Sequence, residues 1–190
     1  MLKPLRHICA RVLALTCILA CAPAAANAAT ASDGGASPND PQYQPAAKAK
    51  IVNGFAIPPK SAPPRIKRAM EAANNIVGKP YKYGGGHASV EDRGYDCSGS
   101  VSYALIHGGL LKRPLDSGSF MSWAQRGKGK WVSVYANGGH AYMVIAGLRL
   151  DTGSRDPNGD RYGQAPGTGP RWNKTMRDPS AYRVRHPSGF

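Results

Sequence analysis

The chain has 190 residues, of which 25 are Lys or Arg and 11 are Asp or Glu, which gives a formal net charge of +14. This length fits one domain with a hydrophobic core large enough to fold without disulfide bonds. The basic charge favours polyanionic partners. No run of Lys and Arg alternates with aromatic residues as in a single-strand platform, so the composition does not favour a nucleic-acid binder.

The N-terminus has the pattern of a signal peptide over residues 1–28. Three basic residues accompany an apolar run, Val12–Ala22, that is too short to span a bilayer, and a small-x-small cleavage sequence ends at Ala28. Cleavage there removes those three basic residues and leaves 162 residues with a formal charge of +11. We therefore expect an exported protein of the periplasm or cell wall. The alternative is a lipoprotein, since Cys21 ends a lipobox-like sequence and its acylation would anchor the chain to a membrane.

The cysteine count singles out one thiol. Cys97 is the single cysteine of residues 29–190, so no internal disulfide bond is available. A lone thiol in an oxidising compartment is either a reactive group or a buried small hydrophobe. Residues 29–64 are rich in Ala, Ser, Gly and Pro and are expected to form a disordered or extended linker. The remaining residues, 65–190, are expected to form the folded domain.

The predicted elements run from helices to strands. Apolar residues at helical spacing predict a first helix over residues 65–77 and a second over residues 96–107. Residues 81–94, between the two helices, form a glycine-rich loop. Strand-like segments at residues 131–135, 141–146 and 148–150 then predict an antiparallel meander. Residues 153–174 are expected to form a long loop, and residues 182–185 a last, edge-like strand. Helices followed by strands predict an α+β domain rather than alternating βαβ units.

Cys97 lies in the first turn of the second predicted helix. The partial positive charge of a helix N-terminus favours the thiolate, which is the nucleophilic form of cysteine. Asp96 stands at the N-cap, where it either caps the helix alone or also contacts a substrate. The small Ser98 and Gly99 leave the thiol face open. The position of Cys97 therefore predicts an activated nucleophile.

A thiol nucleophile needs a general base, and His140 is the best-placed histidine. It follows two glycines and begins a strand, so its side chain is expected at a strand end beside a loop. His107 lies near a helix C-terminus and His186 near the chain end, which are positions typical of structural roles. His87 lies in the glycine-rich loop, where lining a pocket and being solvated are equally compatible with the sequence.

A third residue is needed to orient the imidazole. A two-residue turn at Ala146-Gly147 would make Asp151 face Tyr142 across a hairpin. Asp151 would then lie on the same sheet face as His140 and diagonally next to it. A shifted turn would reverse this assignment and point Asp151 to the opposite face.

Three motifs occur in a fixed order: a Tyr-Gly-Gly element within residues 80–85, Asp-Cys-Ser-Gly at 96–99 and Gly-His at 139–140. Together they resemble the NlpC-type cell-wall cysteine peptidases over roughly residues 65–155. The resemblance implies a papain-like fold in which N-terminal helices pack on a central antiparallel sheet. It implies hydrolysis of peptide bonds in peptidoglycan stem peptides through a Cys97 thioester, with no metal or other cofactor. It also implies that Tyr83 lies by the nucleophile and helps orient the substrate or its oxyanion. Asp96 and Ser98, which flank Cys97, are further candidates for binding the substrate or oxyanion.

The third catalytic residue of that family is usually His, with Asn or Gln as variants, so Asp151 rests on strand position alone. Two other functions fit the same sequence. The acyl group on Cys97 could pass to an amine or lipid, as in an acyltransferase or transglutaminase-like enzyme, or Cys97 could be merely packed within a non-catalytic, basic wall-binding module. The expected partners are peptidoglycan or muropeptides and anionic wall polymers, without nucleic acid, and the chain is expected to be a monomer.

Overall fold

The elements of the chain follow the predicted order, with two helices before the main run of strands. The computed structural model describes residues 47–153 and 169–190, so the predictions for the signal peptide, for Cys21 and for residues 29–46 and 154–168 lie outside it. In these ranges the elements are β1 Lys50–Val52, β2 Phe55–Ile57, α1 Pro64–Ile76, α2 Cys97–His107, α3 Ser117–Phe120, β3 Gln125–Arg126, β4 Val132–Ala136, β5 Ala141–Ile145, β6 Leu148–Asp151, β7 Arg171–Asn173 and β8 Arg183–His186.

The described residues form a six-stranded sheet in the order β3-β8-β4-β5-β6-β7, with every neighbouring pair antiparallel. The α+β class and the meander of β4, β5 and β6 are therefore confirmed. The predicted register of the β5–β6 hairpin is also confirmed, since Ile145 pairs with Leu148. Ala146 and Gly147 have φ angles of 46° and 79°, which are those of a type I′ turn that matches the strand twist.

One face of the sheet packs against the helices to form the hydrophobic core. Buried side chains on β4, β5, β6 and β7 meet the apolar faces of α1 and α2, among them Met143, Leu150, Met70 and Leu105. Helix α1 buries residues three and four positions apart, as its periodicity predicts. Packing of α2 on β5 and β6 carries the first turn of that helix toward the end of the sheet where His140 immediately precedes β5.

The predicted linker is wrong in part, because residues 50–57 form a β-hairpin. Asn53 and Gly54 both have positive φ and make its two-residue turn, and Ala56 is fully buried. The side-chain amide of Asn74 on α1 bonds both the N–H and the C=O of Ala56, at 2.9 Å each, and also accepts from Trp172 Nε1 at 2.8 Å. These bonds tie the hairpin, α1 and β7 together, so the ordered region begins before Pro64.

Two strands differ from the predictions. Residues 171–173 were expected to be loop but form the edge strand β7, in which Trp172 pairs with Leu150. The segment is only three residues long and follows Gly169 and Pro170, so its local pattern resembles a loop. The last strand, β8, was expected at an edge but lies between β3 and β4. No helix of the described ranges is long and apolar enough to cross a membrane.

Candidate active site

The N-terminus of α2 presents Cys97 in a half-buried position. Asp96 is the N-cap, and its Oδ1 accepts from the N–H of Gly99 at 2.6 Å. A Cβ at Gly99 would overlap the carbonyl oxygen of Gly85, so only glycine lets the glycine-rich loop lie against the first helical turn. The N–H groups of Cys97 and Ser98 lie in the first turn of α2, where a helix provides no backbone acceptor of its own. They are therefore available to an anion next to the thiol.

His140 and Asp151 are in direct contact. His140 immediately precedes β5, Asp151 ends β6, and His140 Nε2 donates to Asp151 Oδ1 at 2.9 Å. The Asp151 side chain is fully buried. Asn137 Oδ1 accepts from the N–H of His140 at 2.9 Å, which fixes the backbone where β5 begins. Because Nε2 is bonded to Asp151, the other ring nitrogen, Nδ1, is left for the thiol of Cys97.

The three side chains shift one another's pKa values. Burial by itself would raise the pKa of Cys97, but hydrogen bonding to His140 and to the backbone of Ala141, together with the His140 charge, lowers it overall. Burial alone would lower the pKa of His140, but its bonds to Asp151 and Cys97 and their charges raise it to about 9. The site therefore favours a thiolate beside an imidazolium.

Asp151 is kept ionised by its surroundings. Burial would raise its pKa, but the hydrogen bond from His140, the N–H of Gly153 and the charges of His140 and Arg177 lower it overall. Gly153 donates to Oδ1 at 2.8 Å, and Arg177 Nε donates to Oδ2 at 2.7 Å. Arg177 was not predicted, because it lies 26 residues after Asp151 in a segment with no motif. Because a buried carboxylate needs a cationic partner, the sequence indicates that some Lys or Arg contacts Asp151, but it does not identify which residue this is.

Tyr83 does not occupy the position that the family resemblance implied. Its side chain is 91% exposed, whereas Tyr81, two residues earlier, is 44% exposed. Burial, followed by the nearby charges of Cys97 and Asp96, raises the pKa of Tyr81. Tyr81 therefore lies within electrostatic range of the thiol. Side chains two positions apart lie on the same side of an extended chain. Here the N–H of Gly85 donates to the carbonyl of Lys82, so Tyr83 lies in a turn and is directed differently from Tyr81.

Asp96 and Ser98 use their side chains within the protein. Asp96 Oδ2 accepts from the N–H of Gly84 at 3.0 Å, and its Oδ1 accepts from Ser98 Oγ at 3.1 Å and from His87 Nε2 at 3.0 Å. Ser98 is only 4% exposed. The geometry thus favours a capping role for Asp96 over contact with a substrate. Asp96 also holds the glycine-rich loop against α2.

His107 and His186 have structural contacts. His107 lies 3.1 Å from Glu91 and packs against Tyr103, and His186 Nδ1 bonds the carbonyl of Gly127 at 3.1 Å. Within residues 47–153 and 169–190, no group of three or more His, Cys, Asp or Glu side chains is placed to hold a metal ion. Cys97, His140 and Asp151 are therefore the catalytic candidates that the structure brings together.

The chain matches no family model, and comparison with curated proteins gives no match. Its fold is similar to that of the peptidoglycan hydrolase RipB from Mycobacterium tuberculosis, at 19% identity over 70% of each chain with a TM-score of 0.49. It is also similar to a mutated form of the resuscitation promoting factor interacting protein RipA, at 21% identity over 80% of this chain and 75% of that one, with a TM-score of 0.46.

Proposed function

We propose that the chain is an exported cysteine hydrolase that cleaves peptide bonds in peptidoglycan stem peptides. The observation that carries the proposal is the convergence of Cys97, His140 and Asp151, with the thiol at a helix N-terminus and the imidazole bonded to a buried carboxylate. Acyl transfer through a thioester needs a nucleophile, a base that contacts it and a group that orients the base. Cys97, His140 and Asp151 can serve as these three groups.

The reaction begins when the Cys97 thiolate attacks the carbonyl carbon of the scissile amide. The oxyanion of the tetrahedral intermediate accepts hydrogen bonds from the backbone N–H groups of Cys97 and Ser98. The His140 imidazolium gives its proton to the leaving amine as the C–N bond breaks, which leaves a thioester on Cys97. Neutral His140 then takes a proton from water, whose oxygen attacks the thioester, and the products are a carboxylate and the regenerated thiolate–imidazolium pair.

The structure favours this enzyme over a non-catalytic module. A merely packed cysteine would be buried among apolar groups, and burial raises the pKa of such a thiol. Cys97 is instead half-buried beside His140, and its pKa is lowered overall. The transferase alternative shares the acyl-enzyme and differs only in the acceptor, so the reaction products decide between the two.

The peptidoglycan substrate follows from the motif resemblance and from the expected export. The basic charge is proposed to serve adsorption to anionic wall polymers rather than the chemical step. Attraction between exposed charges is screened over about 8 Å at physiological salt. Binding of the protein to intact wall should therefore fall steeply as salt rises, while turnover on a small soluble stem peptide stays nearly constant. Wall binding that does not respond to salt would contradict the adsorption proposal.

The deciding experiment is mass analysis of muropeptides after purified wall is incubated with the protein, with Cys97→Ala and with His107→Gln as a control outside the site. Hydrolysis yields fragments whose masses together equal the parent plus one water. Added amine that appears in a fragment in place of water would identify a transferase. Unchanged muropeptides with the wild-type protein would contradict the proposed function.

A further inference from the structure

Arg177 contacts Asp151 on the side away from His140. It lies in the segment between β7 and β8, and its Nε donates to Asp151 Oδ2 at 2.7 Å. The other oxygen, Oδ1, accepts from His140 Nε2 at 2.9 Å. The two carboxylate oxygens are thus divided between the imidazole and the guanidinium, so the position of one partner constrains the other.

The Arg177 guanidinium is itself held by several groups. Nη1 donates to the hydroxyl of Tyr182 at 3.3 Å, and Nη2 donates to the carbonyl of Gly153. The guanidinium carbon lies 5.9 Å from the ring centre of Tyr142. A planar donor that is fixed in several directions loses its rotamer freedom and holds a carboxylate in one orientation.

Arg149 provides an internal contrast. Its Nε is 3.2 Å from the same oxygen, Asp151 Oδ2, yet among the described residues this nitrogen makes no hydrogen bond. Burial, as the largest cause, lowers the pKa of Arg149. Arg149 therefore supplies positive charge near the carboxylate without directing it, whereas Arg177 both neutralises and directs it.

We propose that Arg177 is a positioning residue that keeps Asp151 Oδ1 directed at His140, and through it keeps the imidazole turned toward Cys97. The effect on turnover rests on the proposed hydrolase function. The effect on His140 does not, since it can be measured on the protein without any substrate. Arg177 needs no contact with the reacting atoms for this task.

The substrate-free test is an NMR titration of His140 in the intact chain, with the His140→Gln spectrum for assignment. In Arg177→Met the carboxylate loses its direction, so the pKa of His140 should fall from about 9 by at least about one unit. Loss of a nearby cation alone would raise that pKa, since one positive charge disfavours another. An unchanged or raised pKa would therefore overturn the proposal.

Arg177→Lys separates direction from charge, and it also serves if the methionine variant does not fold. Lysine keeps the charge but lacks the planar fork, so the pKa of His140 should fall here as well. Wild-type behaviour of this variant would show that charge suffices and would overturn the proposal. Arg113→Met, which removes an exposed arginine from the loop after α2, should leave the titration unchanged.

The kinetic test uses a soluble stem peptide. Arg177→Met should lower kcat by about 10- to 100-fold, as loss of the hydrogen-bond partner of a metal-ligating residue does at metal sites, while KM changes little because Arg177 is not proposed to touch the substrate. A loss confined to KM would contradict a positioning role. If the wild-type protein cleaves no peptide, the proposed function fails, and the titration still decides the role of Arg177.

Discussion

The two histidine–aspartate pairs near Cys97 have almost equal lengths, 2.9 Å for His140–Asp151 and 3.0 Å for His87–Asp96. Their surroundings differ. The Asp151 carboxylate is fully buried and is shared among His140, Gly153 and Arg177. The Asp96 carboxylate caps α2 and bonds the glycine-rich loop, so its contact with His87 is one of several structural bonds.

The comparison shows that a short histidine–carboxylate distance does not by itself mark a catalytic pair. His140 interacts with Cys97 through the side of the ring that Asp151 leaves available, whereas the described contacts of His87 do not include Cys97. A catalytic imidazole must bridge the nucleophile and the carboxylate. His140 contacts both Cys97 and Asp151, whereas the Nε2 atom of His87 contacts Asp96 and Ser98.

The largest contrast is expected from replacing each histidine. His140→Gln removes the proton carrier and should lower kcat on a soluble stem peptide by on the order of 10⁵- to 10⁶-fold, as loss of the histidine does in a hydrolase triad. His87→Gln removes a contact with the helix cap and should cost less than about tenfold. Steady-state kinetics of both variants checks this, and equal losses would show that the two pairs are not functionally distinct.

Replacing the carboxylates should give the next largest contrast. Asp151→Asn keeps the size of the side chain but no longer stabilises the imidazolium, so kcat should fall by about 10⁴-fold in a folded protein. Asp96→Asn retains a residue that caps helices well, so kcat should change far less. Circular dichroism of both variants verifies folding. Full activity of Asp151→Asn would remove Asp151 from the mechanism.

A smaller effect is expected on the pH dependence. The reaction needs thiolate and imidazolium together, so kcat/KM should rise as pH passes the lowered pKa of Cys97 and fall as pH passes about 9, the pKa of His140. Iodoacetamide labelling of Cys97 should follow the rising limb, and its midpoint should move to higher pH in His140→Gln. In His87→Gln the midpoint should stay in place. A midpoint that is the same in all three proteins would contradict the thiolate–imidazolium pair.

The smallest effect concerns stability rather than turnover. Asp96→Ala removes the N-cap of α2 and should cost about 1–2 kcal/mol of unfolding free energy. Asp116, which caps the four-residue helix α3 and is exposed, provides the matched control, and Asp116→Ala should cost less. Thermal unfolding of the two variants measures the difference. If Asp116→Ala lost more unfolding free energy than Asp96→Ala, the bonds from Asp96 to the glycine-rich loop would add no stability beyond its helix cap.

Much of the site could be predicted because its determinants are local. The first turn of α2 follows from periodicity and from the N-cap at Asp96, which places Cys97 without knowledge of the rest of the chain. The two-residue turn at Ala146 and Gly147 fixes which residues face each other on β5 and β6. Counting along that hairpin was enough to bring Asp151 next to His140, because strand side chains alternate strictly.

What only the tertiary structure decided involves contacts between distant segments. The β1–β2 hairpin is ordered by Asn74 on α1, and β7 by its pairing with β6, so neither is evident from a window of a few residues. The charge of Cys97 acts on Tyr81, whereas Tyr83 is 91% exposed, and this difference depends on how the glycine-rich loop packs on α2. Arg177 reaches Asp151 across 26 residues of chain. Periodicity and turn chemistry act over a few residues, whereas the partner of a buried charge is selected by whichever chain segment the fold brings beside it.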